Sequence, residues 1–280
     1  MLYSSFPDLK WLKQQAENRF SDGRGWPNVL INVKSSATLR DDIPGPLSLF
    51  SNTSGVSEVT VDNKTTIIND DYFFISNNSQ RYTLEIPKNK TTETFNIHFG
   101  ESWTHNVIED ENIEFYNKLY PKDDAVRHLQ LQLKATDKTK LEREEILTRL
   151  VVHLLCVDRN EKIRLDSLDS TKVSTRRDVL RRLHLATDYI YSFCYKDVSL
   201  DDLAKISMLS KFHFVRAFKQ AFGMAPHQFL NFVRIEKAKK LLIAGMAVAE
   251  VGKQIGITDA SSFSRLFKKH TNFYPTSFRK

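Results

Sequence analysis

Two stretches decide how this chain reads: LDDLAKISMLSKFHFVRAFKQAFG, Leu200 to Gly223, and VAEVGKQIGITDASSFSRLFKKHTN, Val248 to Asn272. They resemble each other. Leu203 answers Val251, and Phe214, Arg216, Phe218 and Lys219 answer Phe263, Arg265, Phe267 and Lys268. The earlier positions are offset by 48 residues and the later ones by 49, so the turn is one residue longer in the second copy. Each copy reads as a short helix, a tight turn and a second helix. That arrangement holds the second helix rigidly while its outer face enters a DNA major groove.

The boundaries are written in local chemistry. Ser199 and Asp202 make a variant capping box for a helix over 200–207, and Asp201 and Asp202 suit its positive end. Ser210 caps Lys211 to Phe222, and Gly223 stops it. Pro226 opens a longer helix to about Leu242, spanning roughly 25 Å at ~1.5 Å per residue. With a small unit at each end, the two reading helices are expected about one DNA turn (~34 Å) apart. Val248–Ile255, closed by Gly256, and Ala260–His270, followed by Asn272, form the second unit, and Pro275 opens a last turn. Upstream, Arg176–Tyr195 reads as a helix with Leu180, Leu183, Ala186, Ile190 and Phe193 inward.

The faces of the reading helices sort by residue type. Phe214 with Phe218, and Phe263 with Phe267, are four apart and go to the core. Arg216 and Arg265 lie off that stripe, and arginine suits bidentate contact with guanine or phosphate. Lys211, Lys219, Lys253, Lys268 and Lys269 are candidates for phosphate contacts, with a merely solvated position as the alternative for each.

Charge agrees with a polyanion partner for this end. The 280 residues carry a formal +7. Residues 173–280 hold 19 Lys or Arg and 8 Asp or Glu, while residues 1–172 hold 22 and 26. The basic excess is therefore confined to the C-terminal part.

Length suggests two domains: 1–160, a charged and aperiodic linker 161–172, and 173–280. Short runs rich in β-branched and aromatic residues read as strands: 29–33, 56–60, 67–68, 72–75, 82–86 and 94–99. Polar turns at Asp62–Lys64, Asn69–Asp71 and Asn77–Ser79 separate them, which points to a small antiparallel barrel or sandwich. Helical spacing follows in Asn112–Tyr120, Ala125–Lys134 and Leu141–Val157. In the last, Ile146, Leu147, Leu150, Val151, Leu154 and Leu155 make one broad stripe, to be buried on its own domain or on a second copy. A homodimer through helices 112–157 is the expectation.

Enzyme chemistry finds little support. Of eight histidines only His98 falls among the strands, and no HxH pair exists, so no metal is expected. GxSxG, HExxH and a phosphate-cradling Gly-rich loop are absent. Cys156 lies in an apolar helical run and Cys194 in a packing helix, so both are expected to be reduced and unactivated. Trp26, Phe73, Tyr82, Phe95 and His98 either line an effector pocket or fill the core; alternation does not separate the two. The chain has no run of 18 apolar residues and MLYSSFPDLKWLK lacks a signal-peptide pattern, so a cytoplasmic protein without a membrane span is expected.

The C-terminal region closely resembles the DNA-binding domain of AraC/XylS-type transcription regulators. The residues that carry this are Ser210–Lys219 with Gly223; Phe229–Leu230, Arg234–Ile235, Ala238 and Leu241–Leu242; and Val251–Gly252, Gly256–Ile257, Asp259, Ser262–Phe263, Arg265, Phe267–Lys268 and Pro275. Asn272, where the first unit has Gly223, and Tyr274 depart mildly from the pattern. The resemblance implies base-facing positions at Phe212, Val215 and Arg216, and at Ala260, Ser261, Ser264 and Arg265. Phe212 and Val215 suit only apolar edges such as a thymine methyl. Small Ala260 and Ser261 imply that the second unit reads fewer bases and relies more on phosphate and DNA shape. It also implies double-stranded DNA and RNA polymerase as partners, activation as the output, and no cofactor. The N-terminal half is similar in architecture to the cupin-type sensor and dimerisation domains of such regulators, which implies control by a small effector. The alternative is an architectural or repressor-like DNA binder that answers to no effector.

Overall fold

The computed structural model describes residues 1–21, 25–108 and 113–278. Two compact units divide the chain, Met1–Asn160 and Glu161–Lys280.

In the first unit the chain runs β1 (Leu2–Tyr3), α1 (Leu9–Ser21), β2 (Val29–Ser35), β3 (Thr38–Pro44), β4 (Ser48–Ser54), β5 (Ser57–Val61), β6 (Lys64–Ile68), β7 (Tyr72–Ser76), β8 (Arg81–Ile86) and β9 (Thr92–His98). Next come α2 (Glu101–Val107), β10 (Leu119–Pro121), α3 (Asp124–Lys134) and α4 (Lys140–Asp166). One sheet has the order β1-β2-β9-β4-β7-β10, the other β3-β8-β5-β6. The expected small, cupin-like antiparallel barrel or sandwich is overturned by a mixed sheet region that does not close. Both sheets are open, with β1 and β10 ending one and β3 and β6 the other, and β1 pairs with β2 in parallel. Closure requires the end strands to bond each other, and alternation along a strand carries no information about that.

Two strands escape the alternation rule for visible reasons. β3 carries Arg40, Asp41 and Asp42 across a register shift opposite β8. β4 buries Ser48, Ser51 and Asn52. Their side chains are satisfied inside: Ser51 Oγ donates to the Phe95 carbonyl at 2.7 Å and Asn52 Nδ2 to that of Ile68 at 2.7 Å. A polar residue with an interior partner costs little to bury, so the strand does not look apolar. The helix expected over Asn112–Tyr120 is also corrected. Asn112 lies outside the described residues, 113–118 are not helical, and Leu119–Pro121 pair with β7 because Phe73 stacks on Tyr120 across the register, ring centres 5.3 Å apart.

One face of the six-stranded sheet, with Leu30, Leu49, Phe73, Ile75, Phe95 and Ile97, packs on α3 and α4 through Leu129, Leu133, Ile146, Leu147, Leu150 and Leu154. The stripe of α4 is thus spent on its own unit.

In the second unit the expected linker 161–172 begins as the end of α4, which runs through Asp166. Then come α5 (Val173–Phe193), α6 (Leu200–Ile206), α7 (Lys211–Phe222), α8 (Pro226–Ile243), α9 (Val248–Gln254) and α10 (Ala260–Thr271), with a tight turn at Pro275–Ser277. This all-helical unit is the one the sequence predicts.

Candidate nucleic-acid interface

Two copies of one device make up the surface. In the first, the Ser199 hydroxyl accepts from the Asp202 backbone N–H at 3.1 Å while the Asp202 carboxylate accepts from the Ser199 backbone at 3.2 Å, closing the capping box of α6. The Ser199 hydroxyl, which donates to that carboxylate at 2.6 Å, and then the Ser199 backbone N–H hold the Asp202 carboxyl below the usual carboxylate range. Met208 takes a left-handed φ of 51° in the turn, its N–H donating to Lys205 O and that of Leu209 to Ala204 O. In the second copy Gly256, at φ 73°, donates to Lys253 O and Ile257 to Gly252 O. The turns match residue for residue up to this point. The extra residue of the second copy falls just after it, before the N-cap Asp259, which accepts from Ser262 N–H at 2.7 Å.

Each reading helix is anchored by its phenylalanines. Phe214 and Phe218 are fully buried, and Phe218 lies against Phe222 and Phe229 at 4.5 and 5.5 Å between ring centres. Phe263 and Phe267 share a core with Ile235, Ala238, Leu242, Val251 and Ile255. Helix α8 thus supplies Phe229 to one copy and Ile235, Ala238 and Leu242 to the other. Four side chains of different packing duty on one helix leave little freedom between the copies.

With those faces fixed, the opposite ones are set. On α7, Phe212 is 80% exposed, Val215 half-buried and Arg216 exposed. On α10, Ala260, Ser261 and Arg265 are exposed and Ser264 half-buried. Lys211, Lys219, Lys253, Lys268 and Lys269 are all exposed. Several are engaged. Lys211 pairs with Asp201 at 2.9 Å and Lys253 with Glu250 at 3.8 Å. Lys268 donates to the Tyr274 hydroxyl at 3.0 Å and sits over its ring. Arg216 Nη2 donates to Asp169 Oδ2 at 2.9 Å. Neither Asp169 nor Gln220, which also binds it, stands out in the sequence, because the contact joins residues 47 and 51 positions apart.

The five effector-pocket candidates are all buried but not together. Trp26, Tyr82 and Phe50 gather around His98, with ring centres 5.5, 5.9 and 5.8 Å from its own, and His98 Nδ1 is 2.9 Å from Ser48 Oγ. Burial lowers His98 to about 4. Phe73 and Phe95 belong to the opposite face of the sheet, in the core with α3 and α4. Among the described residues no three His, Cys, Asp or Glu side chains are placed to hold a metal, and no helix is long and apolar enough to cross a membrane. Cys156 and Cys194 are not joined in a disulfide.

Residues 203–280 match the family model described as a helix-turn-helix domain. An uncharacterized HTH-type transcriptional regulator of Staphylococcus aureus (strain COL) is 27% identical over 155 residues, 55% of this chain and 20% of its own length. The lactose operon transcription activator of Staphylococcus xylosus is 28% identical over 95 residues, 34% of each chain. Among solved structures, the C-terminal domain of AraT, a response regulator from Geobacillus stearothermophilus, overlaps 35% of this chain and 83% of its own at 27% identity, with a TM-score of 0.34. The matches thus take in 20% and 34% of these two curated relatives' lengths.

Proposed function

The C-terminal unit carries a helix-turn-helix domain, and from that premise we propose that the chain is an AraC/XylS-type, sequence-specific, double-stranded-DNA-binding transcription regulator whose α7 and α10 read two successive major grooves. The observation that carries this is the matched pair of helices, each anchored by buried phenylalanines and turning an arginine outward. At ~1.5 Å per residue α8 is about 27 Å long, which suits one DNA turn between the two readers. Phe212, Val215 and Arg216, with Ala260, Ser261, Ser264 and Arg265, are the base-contact candidates, and the exposed lysines those for phosphate.

The test is enrichment of a random duplex library by the full chain, followed by binding of the enriched duplex. Arg216→Ala is expected to weaken it by about 1–3 kcal/mol and to relax preference at one base pair. Unchanged binding to enriched and scrambled duplexes alike would sink the assignment.

Activation is the output we assign, with RNA polymerase as the partner; the Staphylococcus xylosus relative is itself a transcription activator, and a reporter gene tests the assignment. Residues 1–160 are assigned to control and to pairing two copies; with the main stripe of α4 buried in its own core, the pairing falls to the exposed apolar side chains of α3 and α4, Leu131, Leu141 and Val152, and sedimentation that finds only monomer, with and without DNA, refutes it. A regulator that answers to no small molecule is the second reading. It is favoured by Phe73 and Phe95, which are packed into the core with α3 and α4 rather than grouped with His98.

A further inference from the structure

We propose that Asp169 is a positioning residue for Arg216, and that it sets how strongly the first reading helix prefers its own sequence over other DNA. This rests on the reading of α7 as a base-reading helix.

Three side chains form the arrangement. Asp169 Oδ2 accepts from Arg216 Nη2 at 2.9 Å and from Gln220 Nε2 at 2.6 Å. Gln220 Oε1 in turn accepts a long bond, 3.5 Å, from the Asp169 backbone N–H. Gln220 is one helical turn beyond Arg216, so both partners stand on the same face of α7. The carboxylate is therefore fixed against the helix on both its side-chain and backbone sides. Arg216 and Asp169 are 56% and 63% exposed, so the group sits where a duplex would meet α7. Its counterpart Arg265 on α10 has Asp259 as an electrostatic neighbour, and no hydrogen-bonded carboxylate is seen on it among the described residues.

Two consequences follow from the chemistry. A guanidinium carries five N–H donors, and Asp169 takes one of them. One two-donor edge stays uncommitted and aimed, ready for O6 and N7 of guanine. Holding it there in advance removes part of the ordering cost of that contact. Phosphate needs no such aim, since it binds a cation from many directions. For phosphate, Asp169 only subtracts charge, and less counterion release means weaker binding to any sequence. One carboxylate thus favours the guanine contact and disfavours the indiscriminate one.

The experiment uses the full chain, the duplex it enriches from a random library, and a scrambled duplex of the same composition. With Asp169→Asn, affinity for the scrambled duplex is expected to rise, its salt dependence to steepen by about one phosphate contact, and affinity for the enriched duplex to hold or fall. The ratio of the two narrows by about two- to fivefold, the range of an exposed ion pair. The loss of preference is confined to the base pair that Arg216→Gln also relaxes, and Asp169→Asn adds nothing in an Arg216→Gln background. Asp166→Asn removes a nearby charge that pairs with Arg176 at 3.2 Å instead, and leaves the ratio unchanged. Equal gains on both duplexes would reduce Asp169 to a counter-charge and overturn the proposal. So would an effect that persists without Arg216. A wild-type chain that enriches no sequence overturns the reading of α7 itself, and is distinct from both.

Discussion

The Arg234 guanidinium closes the end of the helix that carries Cys194: its Nε donates to the Cys194 carbonyl at 2.8 Å, and its Nη2 reaches the Lys196 carbonyl at 2.8 Å. Carbonyls at a helix C-terminus lack intrahelical donors, and a cation there also meets the negative end of the helix. The contact ties α8 to the end of α5. Burial of the guanidinium lowers the Arg234 pKa from its ordinary value. Arg234→Met is expected to cost about 2–3 kcal/mol, the worth of a charged hydrogen bond with its partners left unmet. Urea melts at an unchanged slope measure it. Arg234→Lys, a point charge without the fork, recovers only part.

Met208 and Gly256 hold the same left-handed place in the two turns but stand in different surroundings. A Cβ at Gly256 would come within 2.4 Å of the Tyr195 carbonyl oxygen. Met208 is 60% exposed and has only its φ of 51° against it. Met208→Gly is expected to be stabilising by up to about 1 kcal/mol, relief of left-handed strain less the entropy glycine gains when unfolded. Gly256→Ala adds a backbone clash to that strain and is expected to cost more than about 2 kcal/mol. Paired thermal melts compare them, and equal effects would refute the difference.

His98 is neutral in the fold, with a pKa lowered to about 4 by burial, against an ordinary value near 6.5. On acidification the unfolded chain takes up its proton first. Stability from this residue is therefore full above pH ~6.5 and is lost as pH falls toward ~4, by at most about 3 kcal/mol. His98→Gln removes that part of the slope. The difference between the two proteins' stability curves over this window isolates it from the carboxylates.

On the second reader, Arg265 stands between the small side chains Ala260 and Ser261 and the lysine pair Lys268 and Lys269. Lys269→Ala is expected to weaken enriched and scrambled duplexes alike and to lower the salt slope by about 0.9. Arg265→Ala is expected to weaken the enriched duplex by about 1–3 kcal/mol. Filter binding over a salt series separates the two, and a sequence-selective loss from Lys269→Ala would assign it to a base instead.

The helices of the second unit were legible because their determinants are local. Ser199 with Asp202, Ser210, Gly223 and Pro226 act within four residues of the termini they set. The outward faces of α7 and α10 followed once the phenylalanine rows were placed inward. The first unit was half legible. β2, β5, β7, β8 and β9 show in the residue pattern, whereas β4 hides behind buried Ser48, Ser51 and Asn52.

By itself the sequence determined a duplicated helix-turn-helix with a basic surface, since capping, helical period and charge are properties of neighbouring residues. Only the tertiary structure decided that the two sheets stay open, that Phe95 and His98 face opposite ways, and that Asp169 reaches Arg216. Backbone edges carry the same N–H and C=O groups on every strand, and an exposed aspartate looks alike whether solvated or paired. Which edge or which cation it meets is fixed by packing between segments far apart in the chain.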